Sequence, residues 1–320
     1  MGNDREIRGD VTIKRSIPEK RSSIRTSVNS AKPDLARSQK QQGMLWVAAA
    51  AVLWGTTGTA QAFAPPGAQP AAIGAIRLAI GGLALLAVAL ARGAFHSGKR
   101  WPRATIALAA GCMAGYQLCF FAAVAKTGVA VGTIVAIGSA PVLAGFLGFL
   151  AYGEQPGRKW ALATALAILG CATLILASGD IRLDTAGVLL ALGAGACYAT
   201  YAVASKQALK EHPAEAVMAV VFCLGAILIA PILLVTDLGW LARWRGIGVA
   251  LHLGLVATAA AYLLFGRGLK LIPVPSAVTL SLVEPLTAGF LGVFVLGERL
   301  VAVEWLGVGL LLTGLMLLTR

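Results

Sequence analysis

The sequence predicts an all-α integral membrane protein made of two related halves, each with five membrane-spanning helices. Hydrophobic residues make up 58% of its 320 residues and charged residues only 13%. That charged fraction is about half of what a soluble domain carries. Apolar runs of about twenty residues recur along the chain, and each is long enough to cross a ~30 Å hydrocarbon layer as a helix. A fourteen-residue motif also occurs twice, 144 residues apart.

The apolar runs predict ten helices. Because they are long and continuous, rather than alternating segments of about ten residues, they exclude a transmembrane β-barrel. The predicted spans are residues 44–64, 71–91, 104–125, 129–151, 159–178, 185–206, 214–236, 246–266, 274–296 and 302–319. Residues 1–43 contain few apolar residues and many Ser, Lys and Arg, so we expect a disordered basic tail there.

The repeated motif indicates an internal duplication. Residues 141–154 and 285–298 are identical at eight of fourteen positions without a gap, and the same offset pairs Lys126 with Lys270. Repeats of this kind are typical of membrane transporters.

The number of helices in each half determines the relation between the halves. The first half covers residues 44–178 and the second covers residues 185–320. Since five is an odd number, the second half inserts upside down, and Lys126 and Lys270 lie on opposite sides of the membrane. Inverted repeats of this kind can exchange conformations, so that a central cavity opens alternately to each side.

The basic residues predict the orientation. The net charge is +13, and residues 1–43 contribute ten Lys or Arg against five Asp or Glu. With the N-terminus inside, the inner segments hold 21 Lys or Arg and the outer loops hold five, which favours an orientation with both termini in the cytoplasm. The basic tail is expected to contact anionic lipid headgroups of the bilayer, not nucleic acid.

Several motifs resemble a known family. A half that contains P-x-x-A-G-F-L-G-x-x-x-x-G-E, as residues 141–154 and 285–298 do, and then one more helix, resembles the EamA-type repeat of the drug/metabolite transporter superfamily. Glu284-Pro285 resembles the E-P form of the family's second repeat, and Trp54-Gly55 resembles its W-[GA] start. The resemblance covers residues 44–320.

This resemblance implies a function. Members of the superfamily move amino acids, metabolites or cationic drugs, and the ten-helix bacterial members, which include the YddG-type exporters, are often amino-acid exporters. We therefore expect a secondary-active exporter of amino acids or similar small metabolites. Export of cationic drugs or of another small metabolite is the alternative.

Other classes of membrane protein fit the sequence less well. An ATP-driven pump needs a Walker A loop or a nucleotide-binding domain, and the sequence has neither. It also lacks HExxH and GxSxG motifs, and its five cysteines show no CxxC spacing, so we expect no enzyme activity, no metal and no cofactor. A structural membrane protein would give no reason for an inverted repeat. The oligomeric state stays open, and a monomer is compatible with the sequence.

Glu284 lies near the middle of the ninth predicted helix. An ionised carboxylate there costs roughly 2.5–3.5 kcal/mol on insertion scales, so we expect it to face the bundle interior. Coupling of transport to protons and binding of a substrate ammonium group are the functional interpretations, and a structural hydrogen-bond role beside Pro285 is the alternative. Its repeat mate is Ala140, so symmetry fails at this position.

Pro141 and Pro285 occupy equivalent mid-helix positions. Proline removes a backbone hydrogen bond and bends a helix, so each is expected to form either a cavity-lining hinge or a static packing kink.

Polar and aromatic side chains predict the wall of a central cavity suited to a small zwitterion. The alternative is that single Thr hydroxyls bond their own helix and that the aromatic rings lie at the membrane interface. The candidates are Trp54, Thr56, Thr57, Gln61, Tyr116, Gln117, Tyr198, Tyr201, Tyr262 and Ser281.

Three further ionisable positions are interpreted structurally. We expect Arg77 to extend toward the outer surface or to join a structural ion pair, and His252 to be a satisfied structural histidine. Glu154 and its mate Glu298 are expected to cap helices or to pair with Arg158, Lys159 or Arg299.

Overall fold

The computed structural model describes residues 19–96, 98–176, 184–297 and 300–319. Within this part of the chain, ten helices are long and apolar enough to cross a membrane. They are α1 to α10 in order: Arg37–Ala62, Pro70–Ala91, Arg103–Gly128, Val131–Tyr152, Arg158–Leu176, Thr185–Leu209, Ala214–Leu234, Trp244–Leu271, Val274–Leu296 and Ala302–Thr319. Each overlaps one predicted span, so the all-α membrane fold is confirmed.

The segment before α1 differs from the expectation. Helix α1 is the last part of a longer helix, Glu19–Ala62. Residues 19–43, expected to be disordered, are therefore helical. Ala, Arg, Lys and Gln favour helix, and a segment continuous with an existing helix needs no new nucleation. Residues 1–18 lie outside the described part.

The two halves are related by a pseudo-twofold axis. Gly170 in α5 and its repeat mate Gly314 in α10 both lie where these helices cross. A Cβ atom on Gly170 would be 2.6 Å from the carbonyl oxygen of Gly307, and one on Gly314 would be 2.6 Å from the carbonyl oxygen of Ala163. Gly307 and Ala163 are also 144 positions apart. Because the contacts are reciprocal, the five-helix repeats pack as an inverted pair.

Helix α7 ends in a 3-10 turn, Ala230–Leu234, and helices α8 and α9 contain irregular backbone within their length. Helix α8 consists of α-helix Trp244–Leu251, a nine-residue π-helix His252–Ala260 and α-helix Ala261–Leu271. Helix α9 consists of Val274–Leu280 and Val283–Leu296, with a turn at residues 281–282. Irregular backbone at membrane depth is tolerated where protein or a water-filled cavity covers it, so α8 and α9 are the helices expected to border a cavity.

The two equivalent prolines lie in different local backbone. Helix α4 continues through Pro141, whereas Pro285 lies in the first turn of the second part of α9. Proline has no N–H to donate to the carbonyl group four residues earlier, which here belongs to Ser281. The N–H of Glu284 donates to that oxygen instead, at 2.9 Å, within the turn.

Candidate functional site

A cavity of about 500 Å³ lies between the two repeats and is lined by residues of both. It brings together most of the predicted site residues. The predicted residues in its lining are Trp54, Thr57, Gln61, Tyr116, Gln117, Tyr198, Tyr262, Ser281, Glu284 and Pro285. Ala140, the repeat mate of Glu284, also lies in the lining, whereas Pro141 does not.

The cavity occupies one half of the bundle's length. Helix α1 contributes residues from Trp54 to Gln61, close to its last residue, and α2 contributes its first residue, Pro70. Gly58 and Pro70 are exposed, so the cavity opens at the end of the bundle where α1 ends and α2 begins. We call this the open end. The opposite end, where α4 ends and α9 begins, is the closed end.

Aromatic rings form the deep wall of the cavity. Trp54, which is 4% exposed, packs against Tyr262 with ring centroids 4.8 Å apart and against Tyr198 at 6.4 Å. Tyr116 extends the wall, 5.9 Å from Tyr198. Aromatic faces of this kind contact both apolar side chains and cations.

A polar link joins the aromatic wall to the break in α9. The hydroxyl groups of Tyr198 and Ser281 are 2.9 Å apart, and the Ser281 hydroxyl donates to the carbonyl oxygen of Ala277 at 3.3 Å. The turn at residues 281–282 is thereby connected to α6 of the same repeat. It is also close to α1, because a Cβ atom on Gly55 would lie 2.8 Å from the carbonyl oxygen of Glu284.

Two predicted cavity residues lie elsewhere, which corrects the expectation for them. Tyr201 is fully buried behind the wall, where its hydroxyl contacts the sulfur of Met218 at 3.3 Å. Thr56 lies on the other face of α1, since residues 54, 57, 58 and 61 share one helical face and residue 56 does not. It lines a separate groove of about 680 Å³, where its hydroxyl is 2.9 Å from Nε2 of His252.

Two buried N–H donors in the cavity wall lack a partner in the part of the chain that the structure describes. They are Nε1 of Trp54 and Nε2 of Gln117, whose side chain is 3% exposed. An unsatisfied buried donor costs about 1–3 kcal/mol. An acceptor on a molecule bound between these side chains would recover that cost.

Arg77 is a cavity residue that the sequence reasoning missed. It neither extends to the surface nor joins an ion pair with any described residue. It lines the cavity, and its Nε donates to the Thr258 hydroxyl at 3.3 Å. That hydroxyl donates to the carbonyl oxygen of Leu253 at 2.8 Å within the π-helix. Its sequence position indicated depth in the membrane but not the face of α2 on which it lies.

Glu304 was also missed. It lines the cavity near the open end and is 6% exposed. Its Oε2 accepts a hydrogen bond from the N–H of Val301 at 2.7 Å, three residues earlier at the start of α10. An acidic residue in a first helical turn is the sequence signal for such a cap.

A cluster of polar contacts holds the closed end together. Oε1 of Glu154 accepts from Nζ of Lys206 at 2.9 Å, and Oε2 accepts from the N–H of Val274 at 3.0 Å. Lys206 also donates to the carbonyl oxygen of Ile272 at 2.7 Å. These four residues, the closed-end cluster, join α4, α6 and the turn between α8 and α9. The expected partners Arg158 and Lys159 are replaced by Lys206, and Glu298 and Arg299 lie outside the described residues.

A second ionic group lies at the same end. Glu215 at the start of α7 forms salt bridges with Arg92, at 3.3 Å, and with Arg267 of α8. The Arg267 guanidinium also lies 5.2 Å from the centre of the Trp46 ring in α1. Helices of both repeats therefore meet at this end through charged side chains.

Known proteins share this architecture. Two stretches of the chain, residues 41–176 and 185–320, each match the EamA-like transporter family. The chain is 50% identical over 276 residues to a Bacillus subtilis (strain 168) protein named uncharacterized transporter YwfM, covering 86% of this chain and 93% of that relative.

Two further comparisons are more distant. The chain is 32% identical over 152 residues to the threonine/homoserine exporter RhtA of Escherichia coli (strain K12), covering 47% of this chain and 51% of that exporter. A solved crystal structure superimposes with a TM-score of 0.77 over 87% of this chain and 98% of its own, at 23% identity, which shows a shared fold. The two family matches coincide with the two inverted five-helix repeats, and the chain therefore belongs to the EamA-like transporter family.

Proposed function

We propose that this protein is a secondary-active transporter of the bacterial inner membrane that exports amino acids or similar small metabolites by alternating access. The observation that carries the proposal is a cavity between inverted repeats, open at one end and held shut at the other by the closed-end cluster. Such an arrangement is one of the two forms that a rocking pair of repeats adopts.

The cavity supports a small polar substrate. Its volume of about 500 Å³ lies within the 300–1,000 Å³ typical of small-molecule sites. Aromatic faces, hydroxyl groups and charged groups line it together, which suits a molecule with both an apolar and an ionic part. A relative that shares part of the sequence is named as an exporter of threonine and homoserine, and this favours amino acids.

The predicted orientation assigns a side to each end. With both termini in the cytoplasm, the open end faces outward and the closed end faces the cytoplasm. The structure would then be the outward-open form, from which an exporter releases its substrate.

Growth of cells that overproduce the protein tests the function. We expect higher tolerance to at least one toxic amino-acid analogue from a broad panel, because export lowers the internal concentration. Trp54→Ala, at the same membrane abundance, should abolish the effect, since Trp54 lines the cavity. Trp244→Ala, at a ring that is 77% exposed outside this cavity, should retain it. Unchanged sensitivity to the whole panel would contradict the proposal.

Export of cationic drugs is the second candidate. It is favoured by the two carboxyl groups in the lining, Glu284 and Glu304, against the guanidinium of Arg77. The same cells would then tolerate cationic dyes and biocides better while remaining sensitive to every amino-acid analogue.

Glu284 is the candidate for energy coupling by protons. It is a carboxyl group in the cavity at the break in α9, where both binding and backbone movement can act on it. In proteoliposomes, a Glu284→Gln protein that still transports with the normal dependence on pH would exclude this role.

A further inference from the structure

Two opposite charges face one cavity from opposite repeats. Arg77 belongs to α2 of the first repeat and Glu284 to α9 of the second, and both line the cavity. They do not approach within the 4.0 Å of a salt bridge, although both lie in the described part of the chain. Each charge therefore remains free to bind an opposite charge on a third group.

The guanidinium of Arg77 is held in place from one side. Its Nε donates to the Thr258 hydroxyl at 3.3 Å, and that hydroxyl is itself anchored to the π-helix by its bond to Leu253. The terminal NH groups of Arg77 have no hydrogen-bond partner among the described residues. A guanidinium anchored in this way presents the planar pair of donors that binds a carboxylate through two parallel bonds.

The carboxyl group of Glu284 is also available. Its backbone N–H is used in the turn with Ser281, whereas its side chain accepts no hydrogen bond from any described residue. The other carboxyl group of the lining, that of Glu304, already accepts the N–H of Val301. Glu284 is thus the carboxyl group of the lining that accepts no hydrogen bond from a described residue, in a cavity whose aromatic faces also attract an ammonium group.

We infer that Arg77 and Glu284 form a two-point site for a zwitterion, in which Arg77 binds the carboxylate of the substrate and Glu284 binds its ammonium group. The inference rests on the proposed amino-acid export and adds the residues that determine specificity. A zwitterion bound in this way bridges the two repeats, because each of its charges is held by one of them. Neither residue has a charged repeat mate, since position 221 is Val and position 140 is Ala.

Equilibrium binding to the purified protein tests the inference with three compounds. L-Threonine carries both charges, 1-aminopropan-2-ol lacks the carboxylate and 3-hydroxybutyrate lacks the ammonium group. We expect the native protein to bind threonine at least about tenfold more tightly than either analogue, because a site built for a polar group rejects a molecule that lacks it.

The native protein should prefer threonine over the amine, 1-aminopropan-2-ol, and over the acid, 3-hydroxybutyrate. Each variant should lose one of these two preferences. Arg77→Gln should bind threonine no better than the amine, with the affinity for the amine unchanged, and Arg77→Lys should recover part of the preference. Glu284→Gln should bind threonine no better than the acid. Retained binding of the analogue shows that the variant is folded. Arg158→Gln and Glu211→Gln, at exposed positions, are the matched controls and should keep both preferences.

The outcomes separate this inference from the proposed function. A native protein that binds none of the twenty standard amino acids contradicts amino-acid export itself. A native protein that prefers threonine, together with variants that keep both preferences, leaves the export function intact and overturns the two-point site.

Discussion

The two ends of the helix bundle have related backbones but different chemistry. At the closed end, Glu154 pairs with Lys206, and Glu215 pairs with Arg92 and Arg267. At the open end, the described residues form no salt bridge. Of these five charged residues, all except Glu154 have an uncharged repeat mate. The mates are Ala62 for Lys206, Ala71 for Glu215, Thr236 for Arg92 and Ala123 for Arg267.

This difference shows what an inverted duplication conserves. Close packing is shared by the halves, as Gly170 and Gly314 show, because it determines the helix crossings on which both conformations depend. Among the described residues, the ionic contacts of the closed end have no counterpart at the open end. In the described residues, closure at one end is supported by ion pairs, whereas four of the five partners in these pairs have uncharged repeat mates at the other end. Loss of a charged side chain is therefore expected to change the stability of the two conformations, one open at each end of the bundle, by different amounts.

The largest effect is expected from Lys206→Ala. This variant replaces Lys206 with the residue type of its repeat mate, Ala62. The change removes hydrogen bonds to the Glu154 carboxylate and to the carbonyl oxygen of Ile272. Hydrogen bonds to charged groups contribute about 1.5–3 kcal/mol, so the closed-to-open ratio at this end should fall by about 10- to 100-fold.

Spin labels at exposed positions 155 and 270, in a protein whose five cysteines are replaced, measure that opening. The distance between the labels should shift to a longer population in Lys206→Ala. The control Arg158→Ala removes an exposed cation that forms no salt bridge with the described residues, and it should leave the distance unchanged. The same distance distribution in all three proteins would show that the cluster does not hold this end closed.

Alanine at Gly170 or Gly314 tests the shared packing. A Cβ atom at either position would lie 2.6 Å from a backbone oxygen of the opposing helix. Overpacking of this kind costs about 1–3 kcal/mol, and the pseudo-twofold predicts similar losses of thermal stability for both variants. Gly309→Ala, where a Cβ atom would have no neighbour within 4 Å, should be neutral. Unequal losses at the two positions would contradict a symmetric crossing.

The smallest effect is expected from Arg92→Ala. Its side chain is 59% exposed, whereas that of Glu215 is 13% exposed and keeps Arg267 as a partner. Exposed ion pairs contribute about 0.2–1 kcal/mol. The unfolding temperature of Arg92→Ala should therefore be close to that of the native protein, and the small difference should depend on the salt concentration. A loss as large as that of Lys206→Ala would mean that the second ionic group also determines closure.

Much of the fold follows from local sequence properties. Apolar run length predicts all ten helices, and the repeated motif with an odd helix count predicts the inversion. The candidate site is less accessible to such reasoning. Thr56 and Thr57 are adjacent and similar, yet only Thr57 lines the cavity, because the face of a helix depends on what packs against it.

Apart from Glu304, whose contact with Val301 is local, the missed features depend on distant parts of the chain. The direction of Arg77 is determined by Thr258, which lies 181 residues away, and the partner of Glu154 lies 52 residues away. The π-helix and the turn at residues 281–282 are departures from regular geometry that no local pattern of hydrophobicity distinguishes from ordinary helix. These contacts join both repeats, so only the assembled bundle reveals them.

Alternating access predicts opposite movements at the two ends of the bundle, and one distance measured at each end of the same protein detects them. Labels at exposed positions 155 and 270 report on the closed end, and labels at exposed positions 66 and 125 report on the open end. On adding saturating L-threonine to the native protein in lipid, we predict a longer population at the closed end and a shorter one at the open end. Two distances that both lengthen, or that both stay unchanged, would contradict alternating access.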